Sequence, residues 1–168
     1  MSVRRLNLTT DPAPLTAMYA AAIPGILWPD PITPLDQTMM ENLIAQGGWV
    51  SLSGSTRRAF ILTPKRALDS EENAEELWLW IWSTGLTPAS MKASAKELFV
   101  AWATDMQARG VALGWSKTPM PMETRAEAIM TALSARGMVT SVRVDAQGRS
   151  WRYMTMTPAA ILTMLNGW

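Results

Sequence analysis

The stretch Glu75–Trp82, EELWLWIW, constrains the fold more than any other part of the sequence. Its three tryptophans alternate with Leu77, Leu79 and Ile81, and alternate residues of an extended chain point to opposite faces. Both faces of the segment are therefore apolar, which is typical of a central strand that other elements cover on both sides. We predict an interior strand whose tryptophans pack in the core, with a protein interface or a ligand cleft as the alternatives.

Composition restricts the chemistry that the chain can perform. The 168 residues are 48% hydrophobic and 17% charged, which indicates one globular domain over 1–168. The chain contains no cysteine and no histidine. This composition excludes disulfides, thiolate nucleophiles, Ser-His-Asp triads and nearly every zinc, copper or haem site, so we expect no metal. Catalysis would have to use carboxylates, lysine, tyrosine, hydroxyls, backbone amides or a cofactor.

Charge and hydropathy patterns bear on partners and location. A net charge of +1 favours neither nucleic acid nor an anionic membrane as a partner. Basic pairs such as Lys65-Arg66 are scattered, and we interpret them as solvated surface. The longest uncharged run, Pro12–Pro29, is interrupted by prolines and does not predict a membrane span. The N-terminus lacks the apolar core of a signal peptide, so we expect a cytoplasmic protein.

Capping residues and breakers predict twelve elements in the order β-α-α-β-β-β-α-β-α-β-β-α. The predicted helices begin at Asp11-Pro12, Thr33-Pro34, Thr87-Pro88, the capping box Thr124–Glu127, and Thr157-Pro158. The predicted strands are Ser2–Thr9, Trp49–Ser53, Ala59–Thr63, the tryptophan strand, Val111–Ser116, Val139–Val144 and Ser150–Thr157. We therefore predict an α/β fold, with a mixed central sheet of about seven strands and helices on both faces.

This order of elements, together with the run AEAIMTALSARGMV at Ala126–Val139, resembles the GNAT superfamily of N-acyltransferases. The resemblance covers Ser2–Thr157. It implies a single GNAT-like domain with a core fold at 1–157, followed by a short helix and tail at 158–168. It also implies that the tryptophan strand is the fourth strand of the family, which lies beside the acyl-CoA cleft.

The resemblance assigns the cofactor-binding role to the segment after that strand. Its candidate residues are Trp82, Ser83, Thr84, Gly85, Leu86 and Thr87. The family holds the CoA pyrophosphate with a glycine-rich loop and a helix N-terminus. Here the segment contains one glycine and no basic residue, and Pro88 lacks an N–H donor. The phosphate motif is degenerate.

The resemblance also points to catalytic candidates. Glu75 and Glu76 lie near the position where family members carry a carboxylate base, although two acids at the start of a strand are also typical of a solvated end. The usual acid tyrosine of the family is replaced by Leu133. Tyr153, in the last predicted hairpin, is the remaining phenol candidate, with simple packing as its alternative.

Two functions follow, and the sequence leaves open whether the chain is an enzyme. The first is a non-catalytic structural or interaction protein, with no cofactor, whose tryptophan-rich and methionine-rich surface binds protein partners. In size and motif decay it is similar to small acyltransferase-like phage proteins, which implies the host cytoplasm and the virion as locations. The second is an active N-acyltransferase that uses acetyl-CoA or a related donor and an amine acceptor.

Overall fold

A computed structural model describes residues 2–22, 36–53, 57–77, 79–82, 88–120, 131 and 134–167. Four helices lie in this part of the chain: α1 at Pro12–Ala22, α2 at Gln37–Gln46, α3 at Pro88–Ala108 and α4 at Pro158–Asn166. Its strands are β1 at Ser2–Arg5, β2 at Gly48–Ser53, β3 at Arg57–Leu62, β4 at Ala74–Glu76, β5 at Leu79–Trp82, β6 at Leu113–Pro119, β7 at Val139–Val144 and β8 at Ser150–Met156. None of the helices described here is long and apolar enough to cross a membrane.

Local chemistry sets the ends of the helices. The Asp36 carboxylate accepts the Met39 N–H at 2.8 Å and caps α2. Thr157 caps α4 in the same way, as predicted, by accepting the Ala160 N–H at 3.2 Å. The helix α3 is followed by Gly110, whose φ of 68° is the left-handed conformation that ends helices. The predicted start of the second helix at Thr33-Pro34 is wrong, because Asp36 is extended and caps a helix that begins at Gln37. The predicted helix starts at Thr87 and Thr124 lie outside the described residues.

The first of two compact units comprises 1–65 and 77–102 and contains an antiparallel sheet in the order β1-β2-β3-β5. One core cluster packs α1 and α2 against this sheet, and its buried members are Leu15, Met40, Leu43, Ile44, Val50, Phe60 and Leu62. Phe60 and Val50 are directly opposed across the β2–β3 hairpin, so their side chains share one face. Burial of such large aliphatic and aromatic groups stabilises a domain by about 1.5–3 kcal/mol for each side chain.

The second unit comprises 66–76 and 103–168 and contains a sheet in the order β4-β6-β8-β7. The strand β4 runs parallel to β6, and the other neighbours are antiparallel. The predicted hairpin of β7 and β8 is confirmed, and its turn contains Gly148 at φ 78°. Leu68, Ala74 and Trp115 form a small buried cluster in this unit, against which Leu113 and Tyr153 pack.

The α/β class is confirmed, but the single sheet of about seven strands is corrected. The described residues form two four-stranded sheets, because the tryptophan strand divides into β4 and β5. Glu76, the last residue of β4, pairs with Trp115 of β6 in one sheet. Leu79, the first residue of β5, pairs with Leu62 of β3 in the other sheet. Alternation along one segment predicts a strand, but not which distant strands it pairs with. The side chains of the three tryptophans lie outside the described residues.

Candidate active site

Two adjacent carboxylates on β4 are buried. The side chains of Glu75 and Glu76 belong to residues that are 2% and 1% exposed. Neighbouring residues of a strand point to opposite faces, so both faces of β4 are covered. The alternative of a solvated strand end is therefore wrong for both residues. A buried carboxylate requires a compensating charge or a shift of its pKa, and the two residues differ in this respect.

Glu75 is held in an ion-pair network at the end of α3. Its Oε1 lies 2.6 Å from Nη2 of Arg109, and the same guanidinium lies 2.6 Å from Oδ2 of Asp105. Arg109 directly precedes Gly110, so the turn that ends the helix places the guanidinium near β4. Because a short charge-assisted contact compensates its charge, Glu75 fits a structural role.

The negative charge of Glu76 is compensated more weakly than that of Glu75. Its Oε2 lies 3.2 Å from Nη1 of Arg66, and the Arg66 side chain is 53% exposed. Burial raises the pKa of Glu76 above its usual value, and the positive charges of Arg66 and Lys117 offset only part of that effect. A buried carboxylate with a raised pKa and a charged partner is a feature often found at catalytic sites. Of the two candidates, Glu76 is therefore the one whose surroundings fit a proton-accepting role.

The backbone of Arg66 is fixed on both sides, which positions its guanidinium. Its N–H donates to the carbonyl of Ala74 at 3.2 Å. Its own carbonyl accepts the indole Nε1–H of Trp115 at 2.9 Å. Trp115 is also the residue that pairs with Glu76 between β4 and β6. The Trp115 side chain therefore links the strand beside Glu76 to the segment that carries Arg66.

Tyr153 lies on the same face of the second sheet as Glu76. It pairs with Lys117 of β6, two residues beyond Trp115, and residues two apart on a strand share a face. Its ring stacks on Trp115 with centroids 5.9 Å apart and an interplanar angle of 14°. The Arg143 guanidinium lies 4.5 Å from the centroid of the Tyr153 ring. The structure thus brings Glu76 and Tyr153 to one face and places Glu75 on the other.

The cofactor-binding candidates are described only at their start. Trp82 is the last residue of β5 and its backbone pairs with Ala59. Ser83, Thr84, Gly85, Leu86 and Thr87 lie outside the described residues, as does Leu133. Within the described ranges, no group of three or more acidic side chains is arranged to hold a metal ion.

Sequence reasoning missed the cations that distinguish the two glutamates. Arg66 was assigned to solvated surface with Lys65, whereas its guanidinium contacts Glu76. Arg109 gave no signal beyond its position in the last turn of a predicted helix. Arg109 is distant from Glu75 in the sequence, and the pairing of β4 with β6 brings their segments together. Arg66 is ten residues from Glu76, and the turn within 66–76, in which the Arg66 N–H bonds the Ala74 carbonyl, brings the two together.

The fold is similar to that of solved acetyltransferases, among them an acetyltransferase of the GNAT family. The structure of yncA from Salmonella typhimurium with its cofactor acetyl-CoA is 14% identical, with a TM-score of 0.67 over 94% of this chain and 93% of that chain. The ribosomal-protein-alanine N-acetyltransferase of Brucella melitensis is 15% identical, with a TM-score of 0.64 over 94% and 99%. An aminoglycoside 6'-acetyltransferase type Ii is 11% identical, with a TM-score of 0.65 over 94% and 97%.

Comparison at the level of sequence gives no match. No protein-family model matches the chain, and no curated protein matches it. The similarity to solved structures therefore shows the fold, with identities too low to carry an activity. These neighbours lend no support to a structural role in a phage particle.

Proposed function

We propose that this protein is an N-acyltransferase that transfers an acyl group from acyl-CoA to an amine, with Glu76 as the general base. The observation that carries the proposal is the state of Glu76. It is buried, it lies on the sheet face that also holds Tyr153, and its pKa is raised by burial. The fold shared with acetyltransferases supports the same reaction class.

The proton balance of the reaction explains why such a base is useful. A primary amine is largely protonated near neutral pH, since amines of this kind have pKa values of roughly 8 to 10. Its nitrogen must lose a proton before it can attack. Glu76 accepts that proton, directly or through one water, and its raised pKa brings it closer to the operating pH, where a base is most effective.

The remaining steps make and break two bonds. The amine nitrogen forms a bond to the thioester carbonyl carbon, the carbon–sulfur bond breaks, and CoA leaves as a thiolate that takes up a proton. Tyr153 is the candidate donor of that proton, because it is a phenol on the same face as Glu76. The acylated nitrogen loses its second proton in the same step, which replaces the proton given to the thiolate, and the proton held by Glu76 is released to solvent. Orientation of the amine and thioester contributes the rest of the rate enhancement.

The acyl donor would be held by the segment that follows β5. The candidate residues Trp82 to Thr87 directly precede Pro88, the first residue of α3. A helix N-terminus attracts phosphate through its free N–H groups. This segment contains a single glycine, Gly85.

The first experiment is calorimetric titration with acetyl-CoA, followed by an assay of CoA release against a panel of amines. The panel should include a polyamine, an aminoglycoside and a peptide with an N-terminal alanine. Since the protein contains no cysteine, a thiol reagent would detect released CoA without background from the protein. The controls are acetyl-CoA without amine and amine without protein.

The variant Glu76→Gln should lower kcat by about 10²-fold or more, the effect typical of a general base. Its affinity for acetyl-CoA should be unchanged, since the carboxylate acts on the amine. Glu72→Gln, which changes an exposed carboxylate on the same segment, is the matched control and should stay within about twofold of wild type. Absence of acetyl-CoA binding at millimolar concentration, or full activity of Glu76→Gln, would contradict the proposal.

A further inference from the structure

One edge of the second sheet carries an unusual amount of exposed apolar surface. Val139, Val142 and Val144 of β7 are 64%, 57% and 65% exposed. Within the described part of the chain, β7 is the terminal strand of its sheet and pairs with β8 on one side only. Edge strands of monomeric proteins are usually protected by charge, proline or a bulge, because their free N–H and C=O groups can pair with another chain.

The backbone of β7 shows which residues face outward. The N–H of Asp145 points toward β8, since it donates to the carbonyl of Arg149 at 2.9 Å. In an antiparallel pair, alternate residues direct their N–H and C=O groups to the same side. Residues 139, 141 and 143 therefore point toward β8, and Thr140, Val142 and Val144 direct these groups away from it. The side chains of those three residues also share one face of the sheet.

We propose that two copies of this chain form a symmetric dimer by antiparallel pairing of β7, centred on Val142. A two-fold axis perpendicular to the sheet places Val142 opposite the partner's Val142 and Thr140 opposite the partner's Val144. All three outward-facing residues of each copy then lie in hydrogen-bonded pairs, which gives six backbone hydrogen bonds. The β-branched side chains of both copies form one continuous strip, a combination that stabilises cross-strand pairing.

Charge favours this register over its neighbours. A dimer centred on Arg143 would place two guanidinium groups directly opposite each other, which is destabilising. A dimer centred on Ser141 would place Val139 against the partner's Arg143. With Val142 on the axis, Arg143 lies opposite the partner's Ser141 instead. Its guanidinium is in any case held by Asp69 of its own chain, at 2.6 and 2.8 Å, so it does not protect the edge.

The expected interface is small. A single pair of six-residue strands buries less surface than the roughly 1,200–2,000 Å² of a standard stable interface. The dimer should therefore dissociate on dilution, and its population must be measured over a range of protein concentrations. A foreign extended peptide could pair with the same edge, but the self-complementary register that β7 offers identifies a second copy as the occupant.

Sedimentation equilibrium of the wild-type protein, from about 1 µM to about 1 mM, tests the proposal. The apparent mass should rise from 18.5 kDa toward twice that value. Val142→Lys places two like charges on the axis and should weaken dimerisation by roughly tenfold or more. Val139→Lys is the matched control, since that valine has similar exposure but lies opposite the partner's Asp145, beyond the end of β7. It should leave the dimer intact.

A disulfide cross-link tests the register independently of stability. The natural chain has no cysteine, so Val142→Cys provides a single thiol. Hydrogen-bonded partners in antiparallel strands have Cα atoms about 5.5 Å apart, within the range of disulfides. Val142→Cys should thus form a covalent dimer on mild oxidation. In Val139→Cys the two thiols would be about 20 Å apart along the paired strands, so this variant should remain monomeric.

Each outcome decides the proposal. A wild-type mass that stays at 18.5 kDa over the whole range overturns it, and the edge would then be open to a different partner. Equal weakening by Val139→Lys and Val142→Lys overturns the register, as does equal cross-linking of the two cysteine variants. Circular dichroism of each variant establishes that it is folded, which is expected because both valines are more than half exposed.

Discussion

Each compact unit of the molecule buries a carboxylate with almost no exposure, and the two are compensated very differently. Asp11, in the first unit, is 0% exposed and accepts two hydrogen bonds from Arg4 at 2.8 and 3.0 Å. It also accepts the N–H of Asn7 at 2.5 Å. Glu76, in the second unit, is 1% exposed and contacts Arg66 at 3.2 Å. Both terminal nitrogens of Arg4 therefore bind Asp11, whereas the contact between Arg66 and Glu76 is longer.

Under the proposed function, this difference separates a carboxylate buried for structure from one buried for catalysis. A carboxylate with a bidentate arginine and a backbone donor is stabilised in its charged form, and it fixes the chain where it lies. A carboxylate that is desolvated more than it is compensated has a raised pKa and can exchange a proton. A buried charge that is only partly compensated lowers the stability of the fold. Such destabilising groups are found mainly at functional sites.

The largest effect should come from removing the partner of Asp11. Arg4→Met leaves a fully buried carboxylate without its bidentate cation and should lower the free energy of unfolding by about 3 kcal/mol. This value is at the lower end of the range for buried pairs, because the Arg4 guanidinium is itself 39% exposed and partly screened by solvent. Chemical denaturation at neutral pH measures it.

The same substitution in the second unit is the matched control. Arg66→Met removes a longer contact from a guanidinium that is 53% exposed, so the expected loss is less than about 1 kcal/mol. If the two variants lose equal stability, Asp11 and Glu76 do not differ in how strongly their arginine partners compensate their charge.

An effect on stability between those of Arg4→Met and Arg66→Met is expected at Glu75. Glu75→Gln removes a 2.6 Å charge-assisted contact with Arg109 and should lower the free energy of unfolding by about 2 kcal/mol, while Arg109 retains Asp105. Acyl transfer, measured as CoA release, should change far less than in Glu76→Gln. A loss of kcat without a loss of stability would instead assign the base role to Glu75.

The smallest effect concerns the pH dependence of stability. Burial raises the pKa of Glu76 in the folded protein, so the folded state binds this proton more tightly than the unfolded chain. The stability contributed by the group is complete below its unfolded pKa and is lost as the pH rises through the folded value. Glu76→Gln cannot ionise and should therefore gain stability over wild type as the pH rises. Denaturation of both proteins at several pH values measures this gain, and a gain that falls with pH would contradict the assignment.

Local features of the fold could be predicted from the sequence. The hairpin of β7 and β8 and the helix starting at Pro158 were predicted because their turns and caps depend on a few neighbouring residues. In α3 the apolar residues Ala95, Leu98, Trp102 and Met106 recur at spacings of three and four, and all four are buried. Helical periodicity predicts burial well, because a repeated apolar spacing has one stable arrangement against a core.

The candidate site could be predicted only in part. Glu75, Glu76 and Tyr153 were identified from their positions in the predicted strands. The sequence could not show which of the two glutamates has the closer ion-pair partner. That distinction depends on Arg109, which is distant from Glu75 in the chain, and on how the turn within 66–76 places Arg66 against Glu76. The outward-facing valines of β7 were likewise predicted as a strand without any indication that the strand lies at an edge.

The sequence by itself determined the elements, the α/β class, and the absence of thiol and imidazole chemistry, since these follow from residue types and short-range spacing. The tertiary structure decided that EELWLWIW divides between two sheets and that two adjacent acids have different partners. It also decided that Glu76 and Tyr153 share a face. Strand pairing determines all three, because register joins distant segments and sets both the burial and the charge around each side chain.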